Sequence, residues 1–143
     1  MNDTEALTPN QILVRAMKAH KPVSLTHGKY HPVLQALAQR HSHGQAGRDR
    51  HDRFYVNYAH FGWGERQIEL VSRAPECKGF GEVCAFAGPG YDTEDAAKAI
   101  FTSWKGSPGH WVMVNGYYDY WGYAMAQGRS GVWYATGIVA LKR

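Results

Sequence analysis

A chain of 143 residues with 44% apolar and 20% charged side chains has the length and composition of one globular domain, which excludes a disordered or low-complexity protein. A net charge of +4 spread along the chain excludes the concentrated basic stripe of a nucleic-acid reader; the densest run, Arg48-Asp49-Arg50-His51-Asp52-Arg53, is interrupted by acids and reads as a solvated face. No stretch reaches the apolar length of a membrane span, and Met1-Asn2-Asp3-Thr4-Glu5 lacks the basic-then-apolar layout of a secretory signal, so the expectation is cytoplasmic synthesis with retention or release by another route.

Thr8-Pro9 reads as a helix cap followed by proline in the first turn, with Ile12, Leu13, Ala16 and Ala19 recurring on one face. After a loop holding His20, His27 and His31, all expected in solvent, Pro32 opens a second helix. Its stripe of Leu34, Leu37, Ala38 and His41 runs to Gly44 or Gly47. His41 and His43 lie two positions apart and point away from each other, so they cannot share a metal with His51, and His41 is expected to cover the core. Residues 52–80 are irregular and read as loop and short helix. Val83 to Ala87 is a brief strand ended by Gly88-Pro89-Gly90.

Asp92 or Thr93 caps a third helix, with Ala97, Ile100, Phe101 and Trp104 at helical spacing and Gly106 ending it. The stretch Gly106-Ser107-Pro108-Gly109 is expected to be a turn that aims His110. The period then changes. Tyr120 to Ala126 and Val132 to Ala140 are aromatic and β-branched runs around Gln127-Gly128-Arg129-Ser130-Gly131, the pattern of a β-hairpin. Helices followed by strands imply an α+β domain spanning 1–143. Cys77 and Cys84 flank a glycine-containing segment that could join them, and free thiols are the expectation. Ser107 has no base and acid arranged around it, which disfavours a serine nucleophile.

Trp104, Ser107-Pro108-Gly109-His110, Gly122 and Trp133-Tyr134, preceded by Gly81-Glu82-Val83 and by Ala38, His41, Ala46 and His51, together resemble the CAP superfamily. This family comprises cysteine-rich secretory, antigen 5 and pathogenesis-related proteins, and the likeness is to its short bacterial branch. It covers about residues 30 to 140, and Ser-Pro-Gly-His is its most specific part. The family's Gly-Glu-Asn motif keeps its first two residues here, while Val83 replaces the asparagine.

The resemblance implies a three-layer α-β-α sandwich around a central antiparallel sheet, with histidines and glutamates converging on a cleft. It assigns the second histidine to His110, the first glutamate to Glu82 and the first histidine to His51, with His60 the alternative to His51. His51 is favoured because it directly follows the second helix. The second glutamate of larger members has no counterpart, since Lys105 and Gly106 stand in its place; Glu94 and Asp95 lie about 15 Å away along the helix and cannot substitute.

Two neutral imidazoles and a carboxylate form a ligand set for zinc with a position left for water, and without metal the same groups can exchange protons near neutral pH. The expectations that follow are a metal-assisted hydrolase or peptidase-like enzyme using His51, Glu82 and His110, or a module binding a small apolar ligand or partner in the same cleft. A chain without a secretory layout, resembling a mostly extracellular family, also suits a structural or accessory protein in a larger assembly such as a bacteriophage virion.

Overall fold

The computed structural model of the protein describes residues 6–49 and 59–143. In chain order the elements are α1 (Pro9–Lys18), α2 (Val23–Thr26), β1 (Lys29–Tyr30), α3 (Pro32–Arg48), α4 (Trp63–Arg73), β2 (Cys77–Ala87), α5 (Thr93–Lys105), α6 (Pro108–Val114), β3 (Tyr120–Gln127) and β4 (Trp133–Lys142). This is an α+β arrangement with one mixed sheet among the described residues, in the order β1-β3-β4-β2.

The helix starts follow from local chemistry. Thr8 Oγ1 accepts from Gln11 N at 3.2 Å while Gln11 Oε1 accepts from Thr8 N at 2.8 Å, a reciprocal capping box with Pro9 in the first turn. Asp92 caps α5 by accepting from Asp95 N at 2.8 Å. His31, expected in solvent, is instead the buried cap of α3, its Nδ1 accepting from Val33 N at 3.1 Å. His27 also has a structural place, stacked on Tyr117 and paired with Asp119 at 3.2 Å.

The hairpin β3–β4 forms as the sequence pattern predicts, with Gly122 opposite Ile138 and Gln127 opposite Trp133. Strand β4 pairs on its other side with β2, Glu82 opposite Ile138, both antiparallel. The expectation of an antiparallel sheet needs one correction, because the short β1 joins β3 in parallel. Strand β2 is also longer than expected. It starts at Cys77, six residues before Val83, and keeps its pairing through a register shift between Lys78 and Gly81, where Gly79 has a φ of 60°.

Side-chain alternation divides the core. Trp121, Tyr123 and Met125 of β3 and Trp133, Ala135 and Val139 of β4 join Leu13, Met17, Ile100, Phe101, Trp104 and Val114 from α1, α5 and α6. The intervening Ala124, Ile138 and Ala140 join Leu34, Leu37, Ala38 and Leu70 from α3 and α4. Each large side chain buried in this way contributes about 1.5–3 kcal/mol. Gly122 lets α3 lie directly on β3, since a Cβ there would meet the backbone of Leu34 and Gln35.

Two local expectations fail for identifiable reasons. Helix α4 occupies residues read as loop and short helix: the glycines around Trp63 mask its start, although Arg66, Leu70 and Ala74 keep a four-residue stripe and all three are buried. The stretch after Gly106 is not a turn that ends at His110. Pro108 opens α6, and His110 lies in that helix's first turn. Among the described residues, no helix is long and apolar enough to cross a membrane.

Candidate functional site

Strand β2 carries Glu82 into the protein on the side facing α4, leaving its side chain only 1% exposed. A buried carboxylate requires a partner, and α4 supplies one. Arg66 Nε donates to Glu82 Oε2 and Arg66 Nη2 donates to Glu82 Oε1, each at 2.7 Å, so the guanidinium fork closes on both oxygens. The third nitrogen, Nη1, donates to the Phe61 carbonyl at 2.6 Å, tying the turn before α4 to the same pair.

That turn presents His60. Its Nδ1 lies 3.0 Å from Glu82 Oε1, while its side chain is 49% exposed. The turn is clamped further at the Ala59 carbonyl, which accepts from His41 Nε2 at 2.5 Å and from the Cys84 thiol at 3.1 Å. Gly62, with a φ of 79°, gives the chain its left-handed step into α4. His110 approaches from α6, its Nδ1 3.0 Å from Ser107 Oγ. His60, Cys84, Ser103, His110, Gln45 and Tyr134 line one cleft of about 330 Å³ beside the edge strand β2.

Electrostatics divides these groups into charged and neutral. Burial pushes the Glu82 carboxyl up, but the hydrogen bonds from His60 and Arg66 outweigh it and hold the group below the ordinary carboxylate range, so Glu82 is an anion at neutral pH. Burial, and then repulsion from the nearby His60, lowers the pKa of His110. Burial lowers that of His41 as well. Cys84 is raised well above its ordinary value, by burial first and then by the Glu82 charge, so it remains a thiol and is not a nucleophile.

Of the residues expected at the site, the structure sets His60 against Glu82 at 3.0 Å and places His60 and His110 on one cleft; His51 lies outside the described residues. Arg66 is a site residue that the sequence does not single out, its one signal being its place on the α4 stripe. Cys77 and Cys84 are both free and buried, in line with the expectation of thiols. Glu94 is engaged elsewhere, bound to Arg15 at 2.6 Å.

Metal ligation can be tested on these contacts. Glu82 does not fit as a zinc ligand, because both of its oxygens are held by Arg66, whose charge would also oppose a cation. The same objection applies to the group His41, Glu82 and Cys84, whose donor atoms lie within 4.8 Å of one another. A second group, His31, Glu76 and Cys77, is equally compact. There His31 Nδ1 already accepts a backbone N–H, so Nε2 carries the proton and points it at Glu76, 2.5 Å away. His60 and His110 escape this objection, each with Nδ1 engaged and Nε2 making no hydrogen bond to a described residue.

No family model and no curated protein sequence matches the chain. Among solved structures the fold is similar to an outer surface protein from Borrelia burgdorferi, with a TM-score of 0.63 over 92% of this chain and 90% of that one. The two share 13% sequence identity, so the likeness is one of fold.

Proposed function

We propose that the chain is a CAP-like domain, a three-layer α-β-α sandwich whose edge cleft carries an acid–base site for hydrolysis. In this site His60 is the base, Glu82 its orienting carboxylate and His110 a second imidazole. The sandwich is supported by the division of the core into two clusters on alternate strand residues. Ser-Pro-Gly-His places His110 and Gly-Glu places Glu82 at the motif positions, and His60 takes the role for which it is the alternative to His51.

The single observation that carries the chemistry is the 3.0 Å contact between His60 Nδ1 and Glu82 Oε1. A carboxylate there accepts the Nδ1 proton and leaves the lone pair on Nε2, the nitrogen able to take a proton from water attacking an ester or amide. Arg66 holds Glu82 charged and in place, so the carboxylate fixes the tautomer of His60. His110, with its pKa lowered, is neutral at pH 7 and is a second proton acceptor in the same cleft. Zinc would be held by Nε2 of His60 and of His110, where it would supply Lewis acidity, with Glu82 behind His60 as the carboxylate that orients a ligating imidazole.

Hydrolysis of p-nitrophenyl acetate tests the proposal. His60→Gln is expected to lower kcat/KM by about a hundredfold. An unchanged rate in that variant, or no hydrolysis above buffer by the wild type, would refute the acid–base reading. Calorimetry tests the zinc arm separately: uptake should be abolished by either His60→Ala or His110→Ala, and absence of uptake by the wild type would remove zinc from the account.

A further inference from the structure

We propose that the groove between α1 and the β1–β3 side of the sheet is a second binding site, for a planar aromatic carboxylate whose ring lies against the exposed Tyr30, beside the largely buried Trp121, and whose anionic group meets Lys18. The groove encloses about 630 Å³, within the range of small-molecule sites. In the strand order it lies toward β1, while the histidine cleft lies beside β2 at the opposite edge. Its occupant is therefore independent of the chemistry proposed above.

The ring geometry is fixed before any ligand arrives. Trp121 Nε1 donates to the Gly28 carbonyl at 3.2 Å, which sets the plane of the indole. Tyr30 stands edge-on to it, with centroids 5.6 Å apart and an interplanar angle of 79°, and remains 55% exposed. A flat ring entering beside Tyr30 gains the apolar contact and quadrupole interactions that aromatic groups favour.

The polar lining narrows the ligand class. Gln35 spends its amide on the Tyr123 backbone, Nε2 donating at 2.8 Å and Oε1 accepting at 2.9 Å. Asn10 is likewise committed to Gln39 Oε1 and Met125 N, and Arg15 to Glu94. Lys18 is different: its ammonium stands 5.8 Å from the Trp121 ring centroid and makes no ion pair among the described residues. A lysine with no ion pair among the described residues, beside two aromatic rings and the apolar Leu7 and Val14, calls for a ligand with one anionic group and an aromatic body. The Gln39 amide N–H donors, which make no hydrogen bond among the described residues, belong to a side chain of the same lining.

The test is a titration with 2-naphthoate followed by the indole N–H NMR signals. The Trp121 signal should shift saturably. Lys18→Gln should weaken binding about fivefold, the upper end for an exposed ion pair, and added salt should do the same. Tyr30→Ser should also weaken it, and the uncharged 2-naphthylmethanol should bind more weakly than 2-naphthoate and be indifferent to Lys18→Gln. No saturable shift, shifts confined to the His60 and His110 cleft, or octanoate binding as tightly as 2-naphthoate would each overturn the proposal.

Discussion

Replacing Arg66 by methionine keeps an unbranched apolar stem but removes the guanidinium, with its two bonds to Glu82 and its bond to the Phe61 carbonyl. In the wild type Arg66 and Glu82 side chains are 8% and 1% exposed, so the variant leaves a buried carboxylate with only His60 and the weak Cys84 thiol donor, 3.7 Å away, as partners. Breaking one partner of such a pair costs about 3–5 kcal/mol, against a total folding free energy of about 5–15 kcal/mol for a domain. With a urea m-value of about 2 kcal/mol/M the midpoint should fall by about 2 M, read from tryptophan fluorescence.

The pH dependence provides an internal check. In the wild type the Glu82 pKa is lowered on folding, so its contribution to stability is present above the unfolded carboxylate range and is lost as pH falls through the folded pKa. In Arg66→Met burial dominates and raises the folded pKa, so protonation favours the native state at acid pH. The stability gap between the two proteins should therefore shrink between pH 7 and pH 4. As a control, Arg40→Met breaks an exposed pair with Glu69, 57% and 32% exposed, and should cost under about 1 kcal/mol. An Arg66→Met penalty as small as that of Arg40→Met, or one independent of pH, would refute the argument that the buried pair anchors the site.

Gly122→Ala should destabilise by about 1–3 kcal/mol or more in a denaturation curve, because the added methyl meets the α3 backbone at Leu34 and Gln35; a neutral result would mean that α3 can shift without cost. Trp104→Phe removes a buried N–H donor to the Cys84 carbonyl and part of a fully buried ring, and should cost about 2 kcal/mol. Burial raises Cys77 to about 11 and Cys84 well above its ordinary value, so a disulfide-exchange reagent at pH 8 should label neither thiol in the native protein and both in denaturant. Rapid labelling of one thiol in the native state would contradict the burial described.

What could be read from the sequence was what local chemistry decides. Thr8-Pro9, Pro32 and Asp92 each start a helix where the capping rules place one, and the aromatic and β-branched runs on either side of Gln127 to Gly131 pair as a hairpin. The same proline rule applied at Pro108 gives α6, but the surrounding glycines argue for a turn and mask it. The length of β2 could not be read. Its first half pairs across a register shift that depends on β4, sixty residues on, and Gly79 and Gly81 resemble a turn when seen alone.

The site divides in the same way. Glu82 and His110 stand in motifs, whereas Arg66 contacts Glu82 only because α4 packs beside β2. His31 has the surroundings of a loop histidine in the sequence because neither its burial nor its pairing with Glu76, 45 residues away, is local.

The most direct measurement is the tautomer of His60, read from the two ring nitrogen chemical shifts of the labelled protein above pH 7. The account predicts a proton on Nδ1, held by Glu82, with Nε2 unprotonated, and loss of this preference in Glu82→Gln. A wild-type His60 protonated on Nε2 would contradict it, since the nitrogen required for acid–base work would then carry the proton.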